Sequence, residues 1–310
     1  MRLVIALGGN ALSRRGERLT SENQRSNIKI AVEALAPLTR EHELIITHGN
    51  GPQVGLLALQ NAAYQPDESY PLDILDAETE GMIGYLIEQE LLNVLPPDRL
   101  CAFLLTQSEV DPRDPAFQSP AKPIGPVYGK ETAEQLARER DWHIAKDGEH
   151  YRRVVASPVP KAILEIEVIK LLISRNIVVI CAGGGGIPVV RGDQGHLHGI
   201  EAVIDKDRAS ALLARELGAD ALIMLTDVEA VYQDWGAPEA RTLRSISPGV
   251  ARRMTFAPGS MAPKMAAACE FAEMTGRDAF IGQLKDAAAI LDGTAGTRIS
   301  SEDDGISGWD

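Results

Sequence analysis

The sequence predicts an α/β fold with a mainly parallel sheet covered by helices on both faces. Two observations carry this: short apolar runs that end in glycine recur along the chain, and stretches with helical spacing separate them. Residues 3–7 and 43–47 are two such runs, and residues 26–38 between them place apolar side chains at helical intervals, so the three make a β-α-β unit. A second helix starts after Gly51, with Pro52 near the first helical position, where its missing N–H costs nothing. Residues 76–93 read as a further helix, and Pro96-Pro97 ends that region.

From residue 111 to 160 the texture changes, because seven of the chain's 18 prolines fall there, around an expected turn at Asp147-Gly148. This stretch reads as an insertion with its own small hairpin and helix. Alternation then resumes, with helix 162–174, strand 177–181, helix 207–217, strand 221–225, helix 261–274 and strand 279–281. The acidic tail, 301–310, is expected to be loosely held.

The 310 residues carry 31 Lys plus Arg against 44 Asp plus Glu, a net charge of −13. Duplex nucleic acid and anionic membranes are repelled by such a chain, so any anion must be bound at a local site. The cleanest apolar runs are far below the ~18 residues of a membrane span. Only five apolar residues precede Gly8, too few for a signal-peptide core of about 7–15 residues, so the expected location is the cytoplasm. Cys101, Cys181 and Cys269 are widely spaced in apolar sequence, which fits buried thiols in a reducing compartment better than a zinc site.

Three strands end in glycine-rich turns: Gly8-Gly9-Asn10, Gly49-Asn50-Gly51 and Gly183 to Gly186. At the carboxyl edge of a parallel sheet such turns let phosphate oxygens reach backbone N–H groups, so three of them point to a polyanionic ligand. Two familiar phosphate motifs are absent. Residues 125–131 resemble a P-loop but have three residues between the glycines and Glu131 where a hydroxyl would bind magnesium. Pro188 stands where a dinucleotide fingerprint needs glycine, which argues against a nicotinamide enzyme.

Phosphoryl transfer spreads negative charge over three oxygens and calls for positioned cations, and Lys122, Lys206 and Lys264 sit in settings that could supply them. Asp205 and Asp207 flank Lys206; one carboxylate between two lysines would hold their ammonium groups, whereas the plainer reading makes either aspartate a helix cap. His196 and His198 read as an exposed loop, and Trp142 and Trp235 as packing anchors.

These residues resemble the carbamate kinases of the amino acid kinase superfamily. The resemblance rests on seven ordered motifs: Ala-Leu-Gly-Gly-Asn-Ala-Leu at 6–12, Thr-His-Gly-Asn-Gly-Pro-Gln-Val-Gly at 47–55, Lys-Pro-Ile-Gly-Pro at 122–126, Arg-Arg-Val-Val-Ala-Ser-Pro at 152–158, Ala-Gly-Gly-Gly-Gly-Ile-Pro at 182–188, Val-Ile-Asp-Lys-Asp at 203–207 and Gly-Ser-Met-Ala-Pro-Lys at 259–264. It implies an open αβα sandwich in a single domain over 1–310, with a protruding subdomain at 111–157, and a homodimer. It also implies reversible transfer between ATP and carbamate, giving ADP and carbamoyl phosphate, with Mg2+, commonly run to make ATP at the end of arginine breakdown.

Carried over by residue, the resemblance puts Lys122, Lys206 and Lys264 around the phosphoryl group and has Asp207 orient the lysines. Gly8, Gly9, Asn10, Gly49, Asn50, Gly183 and Gly184 would line the phosphate and acceptor side. The nucleotide would lie over residues 200–300, near Thr226, Asp227, Val228, Tyr232, Met261 and Lys264. No metal ligand is assigned. Many relatives in the superfamily carry a lysine at the end of the first strand, where this chain has Ala6 and Leu7, so Lys122 would replace that charge. A non-catalytic sensor of nucleotide or carbamoyl phosphate and a related amino acid kinase are the alternatives.

Overall fold

Six residues at the start of the chain, five of them apolar, form the central strand β1 (Arg2–Leu7), and every one of those five is buried. The computed structural model describes residues 1–12, 16–64, 68–257 and 259–309, without the side chains of Asn10 and Ala11. A short helix α1 (Gly9–Leu12) and then α2 (Ser21–Leu35) follow, the latter capped by Thr20, which accepts from the Asn23 N–H. Next come β2 (Glu43–His48), α3 (Gly51–Tyr64), α4 (Leu72–Val94), β3 (Cys101–Phe103) and β4 (Gln107–Val110). The proline-rich stretch holds β5 (Lys122–Tyr128), α5 (Lys130–Arg140), β6 (Ile144–Asp147) and β7 (His150–Val155). The chain then runs through β8 (Pro160–Ile163), α6 (Ile166–Ser174), β9 (Val178–Ile180), β10 (Ile187–Arg191), β11 (Leu197–Gly199), α7 (Lys206–Glu216) and β12 (Ala221–Thr226). It finishes with β13 (Tyr232–Gln233), β14 (Arg241–Ile246), α8 (Pro248–Ala251), α9 (Met261–Thr275), β15 (Asp278–Gln283), α10 (Ala287–Leu291), β16 (Thr297–Ile299) and β17 (Ile306–Gly308).

Among the described residues the main sheet runs β13-β14-β16-β15-β12-β1-β2-β9-β3, with β17 added on β14. The pairs from β15 through β12, β1, β2 and β9 to β3 are all parallel, and antiparallel pairing is confined to the side of the late strands. Alternation along each strand divides the core. Val4, Ala6, Ile45 and Met224 pack against α6, α7 and α9, while Leu3, Ile5, Leu7, Ile46 and Ile223 face α2, α4 and α10. No helix among the described residues is long and apolar enough to cross a membrane.

The strands β5, β7 and β6 form a sheet of their own, and β4 and β8 on either side of that stretch pair antiparallel, Ser108 opposite Ile163. The helix expected at 162–174 is shorter, because Ala162 and Ile163 belong to β8, where they satisfy the ladder with β4. The tail is not loose: β17 extends the sheet on β14, and the Trp309 indole donates to the Gly296 carbonyl at 2.9 Å. Asp310 lies outside the described residues. Trp235 is largely exposed, edge-on to Tyr232 with ring centroids 4.7 Å apart, so it is no core anchor. Trp142 instead carries the Arg153 guanidinium 4.3 Å from its ring centroid.

Candidate active site

The carboxyl ends of β1 and β2 come side by side, and the turns that leave them meet α7. Gly8 donates its N–H to the Leu225 carbonyl at 2.9 Å, which ties the first turn to the end of β12. A Cβ at Gly49 would lie 3.3 Å from Lys206 Cδ and 3.6 Å from the Gly9 nitrogen, so both turns close on the Lys206 side chain. Asn10 belongs to α1, but its side chain lies outside what is described.

Helix α7 starts at this junction because Asp205 caps it, accepting from the N–H groups of Asp207 at 3.0 Å and Arg208 at 3.3 Å. Asp205 also accepts from Lys122, so the two roles considered for the flanking aspartates are divided: Asp205 is a cap as well as a lysine partner. Asp207 is the clamp. Its Oδ1 accepts from Lys206 Nζ at 2.6 Å and its Oδ2 from Lys264 Nζ at 3.1 Å. The three lysines thus converge from β5, α7 and α9 on two aspartates, leaving one positive charge in excess.

Burial and charge compete within this cluster. Burial pushes the Asp207 carboxyl up, but the ammonium groups of Lys206 and Lys264 outweigh it and hold the carboxyl well below the usual range. Lys206 is lowered to about 8, since burial and the neighbouring Lys264 outweigh the pull of Asp207. It is therefore a cation at pH 7, but one that loses its charge within reach of mild alkali.

Behind the turns lies a wall of buried polar groups from α4. Asn50 donates from Nδ2 to Asp76 Oδ1 at 2.8 Å and to Thr79 Oγ1 at 3.0 Å. The Thr79 hydroxyl gives its own proton to the Asp76 carbonyl, so only its lone pairs face Asn50 and the amide orientation is fixed. Asn50 Oδ1 is left without a partner among the described residues. Burial raises both Asp76 and Glu80 well above the ordinary carboxylate range, and lowers His48 to about 4, leaving that imidazole neutral.

The third glycine turn belongs to this wall. Gly183 donates its N–H to Glu80 at 2.8 Å, so that group is not offered to an anion, and a Cβ at Gly184 would strike the Asn50 amide, so the third turn packs on the second. The sequence reading missed Asp76, Thr79 and Glu80. Their signal was present: polar residues at i, i+3 and i+4 inside the buried stripe of α4, between Leu75 and Ile83.

The residues expected on the nucleotide side gather where β12 and α9 meet the same edge. Thr226, Asp227 and Val228 sit at and just beyond the end of β12, and Gln283 holds the Asp227 carbonyl at 3.3 Å. Tyr232 is on β13, its hydroxyl donating to Glu229 at 2.7 Å. Met261 opens α9, one turn ahead of Lys264. His196 and His198 flank the solvent-exposed Leu197 on and beside β11, and the described residues hold no group of three His, Cys, Asp or Glu placed to bind a metal ion.

A model of the amino acid kinase family matches residues 1–283. The carbamate kinase of Haemophilus influenzae is 57% identical, covering 99% of both chains, and that of Rhizobium meliloti is 56% identical over 97% of this chain and 94% of its own. The solved structure of a carbamate kinase from Giardia lamblia bound to AMP-PNP superposes with a TM-score of 0.86 at 39% identity, covering 96% of this chain and 98% of that one. With a lysine–aspartate cluster set between glycine turns on a parallel sheet, and with likeness of this extent, the chain belongs to the amino acid kinase family, among its carbamate kinases.

Proposed function

We propose that the chain transfers a phosphoryl group reversibly between ATP and carbamate, giving ADP and carbamoyl phosphate. The observation that carries this reading is the Asp207 clamp, which aims two buried ammonium groups at one point beside the turns of Gly8-Gly9 and Gly49-Asn50. A transferring phosphoryl group is loosely bonded to both oxygens and needs charge placed in advance. Lys206 and Lys264 supply it from the body of the molecule. Lys122 supplies it from the small sheet, passing from Asp205 to the phosphoryl oxygens. The nucleotide lies over Thr226 to Val228, Tyr232 and Met261, and the acceptor lies over the N-terminal half.

Asn50 favours carbamate among small acceptors. Its one free polar atom is a carbonyl oxygen, which can take an N–H from the carbamate amino group and has nothing to offer a bare carboxylate. Thr79→Val removes the acceptor that fixes this amide, and is expected to raise KM for carbamoyl phosphate about tenfold with little change in KM for ADP. Initial rates at varied concentrations of each substrate check it.

Magnesium fits as a partner of the nucleotide. Asp205 and Asp207 are both committed to lysines, and a cation that keeps water and phosphate oxygens needs no protein cage. Bound there, it would neutralise phosphate charge.

A dimer is supported by Ile74, Tyr85 and Leu92, which form an exposed apolar stripe along α4, with Leu100 beside the open edge strand β3. Sedimentation is expected to give twice the 33.4 kDa chain mass. The buried free thiols Cys181 and Cys269 suit a reducing cytoplasm, where the reaction would make ATP at the end of arginine breakdown.

The decisive experiment is ATP formation from ADP and carbamoyl phosphate by the purified chain. Nucleotide binding without turnover would leave a sensor in place of an enzyme. Turnover should also show an alkaline limb. As pH rises through about 8, free Lys206 loses its proton, so kcat/KM is expected to fall there, and Lys206→Arg should shift the limb out of range.

A further inference from the structure

The cleft between the small sheet and the main body has no part in the chemistry above. It encloses about 430 Å3, and Ala58, Leu72, Leu75, Trp142, Arg153 and Glu201 are among its walls. Two adjacent arginines on β7 have different fates. Arg152 is engaged within its own sheet, donating to the Gly125 carbonyl at 2.7 Å and pairing with Asp147 at 3.5 Å. Arg153 faces the cleft with its guanidinium over Trp142, and among the described residues it makes no hydrogen bond and no ion pair. Stacking uses the flat face of a guanidinium and leaves the N–H groups on its edge free.

The carboxylate that Arg153 feels most strongly is Glu201, yet the two do not close to a salt bridge. Glu201 takes the Leu72 N–H on Oε1 at 3.1 Å, which fixes it at the start of α4 and leaves Oε2 without a partner among the described residues. Opposite charges therefore face one cavity with a gap between them, above an apolar floor from α3 and α4. A guanidinium held out of water without a partner is costly, and an anion delivered with its own cation relieves both sides.

We propose that this cleft binds a small α-amino acid, its carboxylate on Arg153, its ammonium on Glu201 and an aliphatic side chain against Ala58, Leu72 and Leu75. The site lies apart from the lysine cluster but is linked to it. Arg153 stands opposite Ile124 in the ladder between β7 and β5, two residues from Lys122, so a bound ligand ties the strand that carries Lys122 to the body of the molecule. It acts as an effector of how that lysine is presented.

Calorimetric titration of the full chain with L-alanine, L-norvaline and L-leucine, in saturating ADP, tests this directly and needs no turnover. At least one is expected to bind with Kd near ~1 mM or tighter, and butyrate and n-butylamine, which carry one charge each, about tenfold more weakly or worse. Arg153→Met and Glu201→Gln should each weaken binding by about tenfold while keeping the parent melting temperature. If Arg153→Met unfolds, Glu201→Gln decides alone. Binding by none of the three amino acids, equal binding by butyrate, or undiminished binding by a folded variant overturns the proposal.

Discussion

Asp207→Asn is expected to lower turnover at pH 7 about a hundredfold or more and to cost about 3–5 kcal/mol of stability. The carboxylate touches both Lys206 and Lys264, and all three side chains are buried. Asparagine keeps the shape and removes the charge, so two ammonium groups are left facing each other without compensation. Lys206, already lowered to about 8, then falls further and no longer carries its proton at neutral pH. The loss of activity comes from that discharge together with the loss of aim. The sign of the pH effect separates this from a simple packing defect. With Lys206 neutral in the folded variant but still protonated when unfolded, each rise in pH lowers the cost of giving up that proton on folding, so the stability deficit of the variant should shrink between pH 7 and pH 9. Thermal unfolding at both pH values, with coupled ATP formation, measures the two arms. A deficit that is constant with pH would make Asp207 a packing residue.

Gly55→Val is expected to have the next largest effect, although it touches no charged group. A Cβ at Gly55 would lie 1.9 Å from Gly125 Cα and 2.0 Å from the Gly125 nitrogen, so α3 and β5 touch there backbone to backbone. Nothing at that point can yield like a side chain. The strand itself must move, and Gly125, at φ +71°, is already in a conformation that few other residues adopt. Three residues earlier the same strand carries Lys122 to Asp205. The variant should lose about 1–3 kcal/mol by overpacking, and turnover should fall at least tenfold as Lys122 is displaced, with ADP affinity nearly unchanged. Melting curves and separate KM values for the two substrates check this. Gly55→Ala should show the same pattern in milder form.

The central strands were legible because burial on both faces leaves an unbroken apolar run, as in Leu3 to Leu7 and Ala221 to Leu225. The small sheet announced itself through proline. The boundary at Ile163 was hidden, since β8 and α6 follow each other without glycine or proline between them and both are apolar. The tail strand was hidden for a different reason: β17 is held by backbone pairing, to which composition is blind. At the site, short motifs exposed the lysines and the first two glycine turns. What they could not expose was partnership across the chain. That Lys122 finds Asp205, that Asn50 is locked by Thr79 and that Gly183 is occupied by Glu80 are facts of tertiary contact, and the Gly183 N–H was misassigned to an anion for that reason.

The position of β1 has a consequence for how the molecule is made. Its partner on one side, β2, is near in sequence, but on the other side Leu3 to Leu7 pair with Ala221 to Leu225, and Arg2 is held by Asp220 and the Leu217 carbonyl. During synthesis the middle of the sheet must therefore wait, with one apolar edge uncovered, until more than two thirds of the chain has left the ribosome. Helix α7, with Lys206 and Asp207, emerges immediately before the strand that closes this edge. Lys206 and Asp207 thus emerge just ahead of the strand that covers β1, whereas Lys264 on α9 and the strands β13 to β17 follow later. A nascent chain arrested near residue 200 is an open-edged, aggregation-prone species with no rudimentary activity.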